Sequence, residues 1–318
     1  MNQISTGNVR NRLRVGLVDM NNGVPNQAVR SFKSITAAFF EKVKAANPNV
    51  ETVLHHAQPR NRPEGPPKDC DLYLCTGGPD SPVDGFAEPW ARGVERFFDT
   101  VVERNVSGMP GAPAAFCVCY SFEIAVLHFK VARIGPRPRK FGIMPVYPTE
   151  EGQASPLFKP FEDRLFAWEH RSWEAVDLDE ARLKQLGGVL YARESRDGVS
   201  KGEGLMSFKF APGIEGTIFH PEADRPGALA WIERPEQAQA VRETYGEETY
   251  RRMLKTLDDP TRLARTYALL LPGWLARRFN AIAPERGWNR IGEPSYDGLS
   301  IGAFEKPANE AETSAEDA

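Results

Sequence analysis

The sequence is poor in the residues that bind metals or form disulfides. Its 318 residues include four cysteines and five histidines. Such sparse cysteine is typical of a protein kept in a reducing compartment, where disulfides are rare. The cysteines and histidines also lack the spacing of zinc ligands. We therefore expect a cytoplasmic protein without a metal or another cofactor.

Long apolar runs and an excess of one charge are missing as well. No run approaches the length of a membrane-spanning helix, and residues 1–8 lack the apolar core of a signal peptide. The formal net charge of −3 gives no electrostatic reason to expect binding to nucleic acid. The sequence also contains no glycine-rich phosphate loop. These absences predict a protein that has neither a membrane nor a nucleic acid as its partner.

The sequence does contain a regular alternation of strand-like and helix-like segments. Four apolar runs predict buried strands, at residues 15–19, 50–54, 72–75 and 114–118. Apolar residues at helical spacing predict helices at 25–44 and 89–102. Strands that alternate with helices imply a three-layer α/β fold, an open and mostly parallel sheet with helices on both faces. In such sheets the ligand lies beyond the carboxyl ends of the strands.

The middle of the chain is expected to add an antiparallel section. Three short runs there resemble strands, at residues 143–146, 188–191 and 206–210. The basic segment 130–140 is interpreted as a solvated loop, with contact to an anionic ligand or partner as the alternative. Residues 57–68 carry four prolines and are predicted to form a surface loop.

A helical extension is predicted over residues 231–300, after a main domain over residues 13–230. Three roles are left open for it: covering the site, forming a homodimer face, or packing on the core. Residues 301–318 are acidic and poor in apolar side chains, which predicts a disordered tail.

Within the extension, helices are expected to begin at Pro235, Glu247 and Pro260. Pro272 and Gly273 are expected to stop the third helix before a further one begins, because proline cannot continue the helical hydrogen-bond ladder.

Residues 113–123 contain a candidate nucleophile. A short apolar run leads into Cys119 and is followed by small and then helix-forming residues, which predicts a strand, a sharp turn and a helix. A thiol at such a corner lies at a helix N-terminus, where unpaired N–H groups and the helix dipole favour the thiolate. The same N–H groups can stabilise the oxyanion that forms when sulfur attacks a carbonyl. The alternative is that Cys119 is a small buried apolar residue.

A candidate base follows about a hundred residues later, in Gly216-Thr-Ile-Phe-His-Pro-Glu222. An apolar strand there ends near His220, and Glu222 follows two residues on. A cysteine nucleophile needs a base, and the base needs an acceptor that orients it. Cys119, His220 and the pair Gly77-Gly78 all fall at predicted strand ends, so one crevice can hold all of them.

Three blocks, in the same order, resemble the class I glutamine amidotransferase family, of the kind seen in the glutaminase part of GMP synthase. They are Leu74-Cys-Thr-Gly-Gly-Pro-Asp-Ser-Pro82, Cys117-Val-Cys-Tyr-Ser-Phe-Glu123 and Phe219-His-Pro-Glu222. The first is similar to the family's Gly-Gly-Pro oxyanion loop, the second to its Gly-x-Cys-x-Gly-His-Gln elbow, and the third to its Phe-His-Pro-Glu block. A weaker fourth block, Trp168-Glu-His-Arg-Ser172, resembles a substrate-side Ser-x-His-x-Asp segment.

The resemblance implies a Cys-His-Glu triad of Cys119, His220 and Glu222, with the N–H groups of Gly78 and Tyr120 as the oxyanion hole. It also implies substrate-binding residues, which are Gly77, Glu123, His170, Arg171 and Ser172. The implied substrate is glutamine or a related small-molecule amide. The implied product, ammonia, would pass to a synthetase, which must be a separate polypeptide because the chain lacks a phosphate loop.

The sequence departs from the family pattern around the nucleophile. Cys117 and Ser121 replace the two elbow glycines, and Phe122-Glu123 replaces the His-Gln pair. A charged Glu123 would disfavour a nearby carboxylate, such as that of glutamine. Two alternatives therefore stay open. One is a hydrolase or acyltransferase on the same fold, acting on a γ-glutamyl or homoserine-like substrate. The other is a non-catalytic binding or regulatory homologue.

Overall fold

A nine-stranded sheet runs through the residues that the computed structural model describes, which are 11–62, 65–195 and 204–295. In chain order the strands are β1 Arg12–Val18, β2 Glu51–Ala57, β3 Leu72–Cys75, β4 Ala114–Val118, β5 Arg133–Pro148, β6 Leu165–Val176, β7 Val189–Arg193, β8 Leu205–Ala211 and β9 Ile214–Thr217. In space their order is β2-β1-β3-β4-β9-β8-β7-β5-β6.

One half of the sheet is parallel and the other half is antiparallel. The parallel pairs are β1–β2, β1–β3, β3–β4 and β4–β9. The antiparallel pairs are β8–β9, β7–β8, β5–β7 and β5–β6. The four strands predicted from the first part of the sequence are confirmed, and β3 and β4 have the predicted bounds. Because parallel strands end at one edge, β3, β4 and β9 deliver their following residues to the same place.

Helices cover both faces of the sheet, as predicted. They are α1 Gln27–Ala46, α2 Pro82–Ala87, α3 Ala91–Val106, α4 Tyr120–Phe129, α5 Glu150–Ala154, α6 Glu180–Gln185, α7 Arg225–Ile232, α8 Pro235–Tyr245, α9 Glu247–Leu257 and α10 Arg265–Ile282. Phe116 of β4 contacts Trp274 of α10, with ring centroids 5.4 Å apart, whereas Tyr73 of β3 contacts Phe97 of α3 at 4.6 Å. Tyr73 and Leu74 point to opposite faces, and Leu74 pairs with Phe116.

The start and the buried face of helix α1 follow from its local sequence. The side chain of Asn26 accepts hydrogen bonds from the N–H groups of Ala28 and Val29, which caps the first turn. Phe32, Ile35 and Phe39 recur at helical spacing and are buried against the sheet. The predicted helix is thus confirmed to within two residues at each end.

The interpretation of residues 130–140 as a solvated loop is wrong. From Arg133 onward these residues belong to β5, which pairs with β6 along most of its length. The charges are neutralised by partners distant in sequence: Arg137 binds Glu174 at 3.1 Å, and Lys140 binds Glu169 at 2.8 Å. The register shift between Pro136 and Lys140 accommodates a segment rich in proline.

The expected break at Pro272 is also wrong, because α10 continues through it from Arg265 to Ile282. The residues on both sides of the proline are buried, Leu271 before it and Trp274 after it. The indole N–H of Trp274 also donates to Glu215 of β9 at 2.7 Å. Packing of the whole segment on the sheet outweighs the missing helical hydrogen bond.

Helices α8 and α9 begin where predicted and pack with α7 in a second apolar cluster that includes Phe141 and Trp168. The division into a main domain of 13–230 and an extension of 231–300 stays a prediction, and α10 packs in the principal core. Residues 301–318 lie outside the described part of the chain. Within the described ranges, no helix has both the length and the apolar character needed to cross a membrane.

Candidate active site

Cys119 occupies a sharp turn between β4 and α4. Its φ of 51° and ψ of −109° are values that residues other than glycine adopt only at an energetic cost. Ser121 stabilises the turn: its hydroxyl accepts from the N–H of Val118 at 2.8 Å and lies 2.9 Å from the carbonyl of Cys75. The residue that replaces an elbow glycine therefore contributes its own hydrogen bonds, and the predicted strand–turn–helix is confirmed.

The position of Cys119 places its thiol at the start of α4. Among the described residues no side chain caps this helix, so its first N–H groups are left for another acceptor. The side chain of Tyr120 is buried, and its ring lies under the guanidinium of Arg60. The backbone N–H of Tyr120 is the predicted oxyanion donor, and it is the first of the helix.

His220 follows β9 and reaches Cys119 from the neighbouring part of the sheet. Its backbone N–H donates to the carbonyl of Trp168 in β6 at 2.9 Å, which fixes the backbone beyond the end of β9. Its Nδ1 lies 2.7 Å from Oε1 of Glu222, whose residue is 1% exposed. Cys119 is a close electrostatic neighbour of the imidazole, and both side chains lie against Gly77.

The pKa values of Cys119 and His220 depend on burial and on the charges of the neighbouring side chains. Burial acts to lower the pKa of His220, but Glu222 and Cys119 together outweigh it and hold that pKa well above its ordinary value. Burial raises the pKa of the Cys119 thiol, and the neighbouring imidazole opposes the rise. The thiol of Cys119 therefore has a proton acceptor among its close neighbours.

Gly77 passes against both Cys119 and His220. A Cβ on Gly77 would lie 3.0 Å from Cε1 of His220 and 3.2 Å from Cβ of Cys119. A Cβ on Gly78 would lie 2.2 Å from the carbonyl oxygen of Met20, on another side of the loop. A side chain at Gly78 would collide with backbone, and one at Gly77 would crowd His220 and Cys119, so glycine at both positions lets the loop approach the thiol closely.

A cavity of about 530 Å³ opens above these residues. The predicted site residues that line it are Cys119, His220, Glu222, Gly77, Gly78, Glu123, His170, Arg171 and Ser172. The lining also includes Trp168, Trp173 and Trp231. The volume falls within the range for drug-sized ligands and so exceeds what one free amino acid requires.

Glu123, one of the predicted substrate-binding residues, is almost completely buried. It is on the first turn of α4 and is 3% exposed, so it is not at the mouth of the site. Its carboxyl group accepts no hydrogen bond from another described residue. Burial raises the pKa of Glu123 to about 7, against the opposing charges of Arg171 and His220. The carboxyl is thus poised between its neutral and charged forms, whereas the sequence suggested a permanent charge.

The block at 168–172 lies on β6 and brings two cationic residue types to the cavity. Arg171 is 1% exposed as a side chain and binds Glu169 at 2.7 Å and Glu194 at 3.3 Å, so its charge is already compensated. His170 packs on Trp231 and lies 2.7 Å from the guanidinium of Arg139. Burial, Arg139 and His220 lower the pKa of His170 to about 3, which keeps this imidazole neutral.

Several residues near the site had no signal in the sequence. Trp231 reaches the cavity from α7, and Arg60 contacts the loop of Gly78 from the proline-rich segment. Both positions depend on how distant segments pack. Pairing of β6 with β5 brings Arg139 beside His170, and that pairing is also not visible as a local pattern.

Comparison with solved structures finds this fold in glutamine amidotransferases. A glutamine amido transferase from Methylobacillus flagellatus gives a TM-score of 0.53 at 14% identity, with 89% of this chain and 97% of that chain covered. A glutamine amidotransferase from Thermotoga maritima gives 0.51 at 14% identity, with 80% and 96% covered.

A third solved structure, of the protein SMU.1228c, gives a TM-score of 0.53 at 16% identity, with 87% of this chain and 99% of that chain covered. No protein-family model matches the sequence, and no curated protein matches it. The chain therefore has a class I glutamine amidotransferase-like fold, and the predicted fold class is confirmed.

Proposed function

We propose that this chain, with its class I glutamine amidotransferase-like fold, is a cysteine-dependent enzyme that cleaves a glutamine-type amide through a thioester. The observation that carries the proposal is the hydrogen bond of His220 to Glu222, with the imidazole and Cys119 both lying against Gly77. A nucleophile, a base and an orienting carboxylate gathered at one place is the arrangement that acyl transfer requires.

In the first half-reaction the thiolate of Cys119 attacks the amide carbon. The carbonyl electrons move to oxygen, and the N–H groups of Gly78 and Tyr120 hold the resulting oxyanion. The C–N bond then breaks, and the nitrogen leaves as ammonia after it takes a proton from the imidazolium of His220. The acyl group remains on Cys119 as a thioester.

In the second half-reaction water attacks the thioester carbon while neutral His220 accepts its proton. Collapse of the oxyanion breaks the C–S bond and returns the thiolate beside an imidazolium. Glu222 keeps the ring oriented and stabilises its charged form in both steps. The ammonia is either released or passed to a synthetase on a separate polypeptide.

A second candidate keeps the same chemistry and changes the substrate to a γ-glutamyl or homoserine-like compound. Within this class Glu123 favours a compound that carries an amine where glutamine has its carboxylate, because a buried carboxyl without a hydrogen-bond partner among the described residues lines the cavity. Such a group binds a substrate amine, which would hold it ionised, and disfavours a substrate carboxylate. Arg171 offers little compensation because Glu169 and Glu194 already bind it.

The test is to incubate the purified chain with glutamine, with γ-glutamyl amides and with acyl-CoAs, and to measure intact mass. We expect a thioester adduct on Cys119 with at least one of these classes and none in Cys119→Ala. Adducts with γ-glutamyl amides alone select the second candidate. The non-catalytic alternative is selected if no class gives an adduct although iodoacetamide alkylates Cys119.

A further inference from the structure

The loop that carries Gly77 and Gly78 is held from behind by an arginine. We propose that Arg60 is a positioning residue that fixes the oxyanion-binding N–H groups of Gly78 and Tyr120. The inference rests on the proposed function, because these N–H groups matter only if an acyl oxyanion forms. Arg60 is not among the described residues that line the cavity, so it acts through the loop and not on the substrate.

The guanidinium of Arg60 binds three groups on two segments. One nitrogen donates to the carbonyls of Met20 and Pro79, both at 2.9 Å, and the other donates to the carboxylate of Asp80 at 2.8 Å. Met20 follows β1, whereas Pro79 and Asp80 follow Gly78 directly. The arginine therefore ties the two-glycine loop to the neighbouring strand end.

The same guanidinium lies over the residue that follows the nucleophile. Its central carbon is 4.4 Å from the centroid of the Tyr120 ring and 5.6 Å from that of Trp90, both within range of cation–π attraction. One side chain thus contacts the loop of Gly78 and the side chain of Tyr120. These are the two residues whose N–H groups are assigned to the oxyanion hole.

Gly77 and Gly78 show that one side of the loop faces the candidate nucleophile and base, and the other side faces Met20 and Arg60. The missing Cβ of Gly77 points to Cys119 and His220, whereas that of Gly78 points to Met20 and lies 3.1 Å from a guanidinium nitrogen. The loop is therefore held between the reacting thiol and Arg60. If Arg60 were removed, the carbonyls of Met20 and Pro79 would each lose a donor. The two segments would then be joined on the near side of the glycines, where Thr76 accepts from the N–H of Met20 at 2.9 Å, but no longer beyond them.

The burial of Arg60 makes the contact specific for arginine. Its side chain is 6% exposed, although it comes from a loop at the surface. A guanidinium can donate to two carbonyls and a carboxylate while stacking on a ring, whereas a lysine ammonium is a compact point charge without a planar fork. Lys at this position would keep the charge and lose the geometry.

The experiment compares two reactions of Cys119 in the full chain. Alkylation by iodoacetamide displaces iodide and forms no oxyanion. Acylation by p-nitrophenyl acetate forms one before the C–O bond breaks and p-nitrophenolate leaves. We expect Arg60→Gln to lower the acylation rate by about tenfold or more, since losing one oxyanion donor outright costs about 10²–10³. The alkylation rate should change little, and Arg60→Lys should fall between Arg60→Gln and the wild type.

The matched control is Arg62→Gln, an exposed arginine on the same loop, which should leave both rates unchanged. Cys119→Ala supplies the background from other nucleophiles. An unchanged ratio of acylation to alkylation in Arg60→Gln overturns the proposal. If that variant does not fold, the Arg60→Lys ratio decides in the same way.

Hydrogen exchange of the segment 76–81 gives a readout that does not depend on chemistry. Arg60→Gln should speed exchange in this segment while the amides of β4 stay protected, and unchanged exchange overturns the proposal. Failure of the proposed function gives a different result. Iodoacetamide then alkylates Cys119 of the wild type, but neither the ester nor any amide acylates it. The hydrogen-exchange measurement still tests whether Arg60 holds the loop.

Discussion

Nδ1 of His220 lies 2.7 Å from Oε1 of Glu222, while the second carboxylate oxygen is buried without a hydrogen-bond partner in the described structure. An ionised carboxylate placed in this way is stabilised mainly by a positive charge on the imidazole. The pair therefore favours the protonated form of His220, in agreement with the raised pKa of that ring. In the proposed reaction, this ring would be ready to donate a proton to the leaving group before the substrate arrives.

His220→Ala is expected to lower turnover by roughly 10³-fold or more, and Glu222→Gln by less, because orienting the base is a smaller effect than transferring the proton. Turnover is measured with the substrate class that forms the Cys119 adduct. Glu222→Gln should also lower the pKa of His220, since the charge that raises it is gone, and NMR titration of the imidazole measures this shift. A near-normal rate in His220→Ala would show that the triad assignment is wrong.

The two neighbouring cysteines should respond differently to substitution. Cys119→Ala is expected to abolish both the thioester and turnover. Cys117→Ala should keep most activity, because Cys117 lies inside β4, is 0% exposed and pairs in register with Cys75. Its loss is instead expected to lower the free energy of unfolding by about 1 kcal/mol through a small cavity. Peptide mapping after iodoacetamide treatment checks the assignment, and labelling of Cys117 in preference to Cys119 would contradict it.

The parts of the fold that could be predicted are those that local patterns specify. The short apolar strands β3 and β4, the Asn26 cap of α1 and the starts of α8 and α9 depend on neighbouring residues alone. The run at 143–146 predicts the second half of β5, but its first half could not be predicted, since the arginines and prolines there resemble a loop until Glu174 and Glu169 are placed opposite. The continuity of α10 through Pro272 likewise depends on burial against the sheet.

The same distinction applies to the candidate site. Cys119 and His220 could be found because each follows a strand that the sequence predicts, and both strands end at one edge of the sheet. The contact of Arg60 with Gly78 and the altered protonation of Glu123 could not be found. They depend on where a proline-rich loop folds and on how completely α4 is buried.

Glu123→Gln should change how stability depends on pH. Burial raises the pKa of Glu123 to about 7, so its native carboxyl stays protonated to a higher pH than the unfolded one. Protonated Glu123 therefore contributes its full share to the free energy of unfolding at a pH below the pKa of this group in the unfolded chain. That contribution is lost as the pH rises through about 7. We expect the variant to match the wild type near pH 4, and to exceed it by roughly 3 kcal/mol or less at pH 8. Urea unfolding at both pH values measures the difference, and an equal difference at both would contradict the assignment.

Glu123→Gln should also change substrate preference. The wild-type carboxyl is expected to give weak glutaminase activity in the isolated chain, because it disfavours a substrate carboxylate nearby. The neutral amide should raise kcat/KM for free glutamine and lower it for a substrate that carries an amine in that place. The measurement is kcat/KM for both substrates in both proteins. Efficient wild-type hydrolysis of glutamine that the substitution leaves unchanged would show that Glu123 does not contact the substrate.

Substitution of Gly77 by alanine should affect mainly turnover, whereas substitution of Gly78 should affect mainly the stability of the fold. A Cβ on Gly77 would press on Cε1 of His220 at 3.0 Å and on Cβ of Cys119 at 3.2 Å, contacts that shifts of a few tenths of an ångström can relieve. Gly77→Ala should therefore fold but lower turnover by roughly 10²-fold, as expected when reacting groups are displaced by up to about 1 Å. A Cβ on Gly78 meets the backbone carbonyl of Met20 at 2.2 Å, which cannot move without β1. Gly78→Ala should lower the free energy of unfolding by roughly 1–3 kcal/mol. Turnover and urea unfolding of both variants test this, and equal loss of stability in the two would mean that the glycines face the same surroundings.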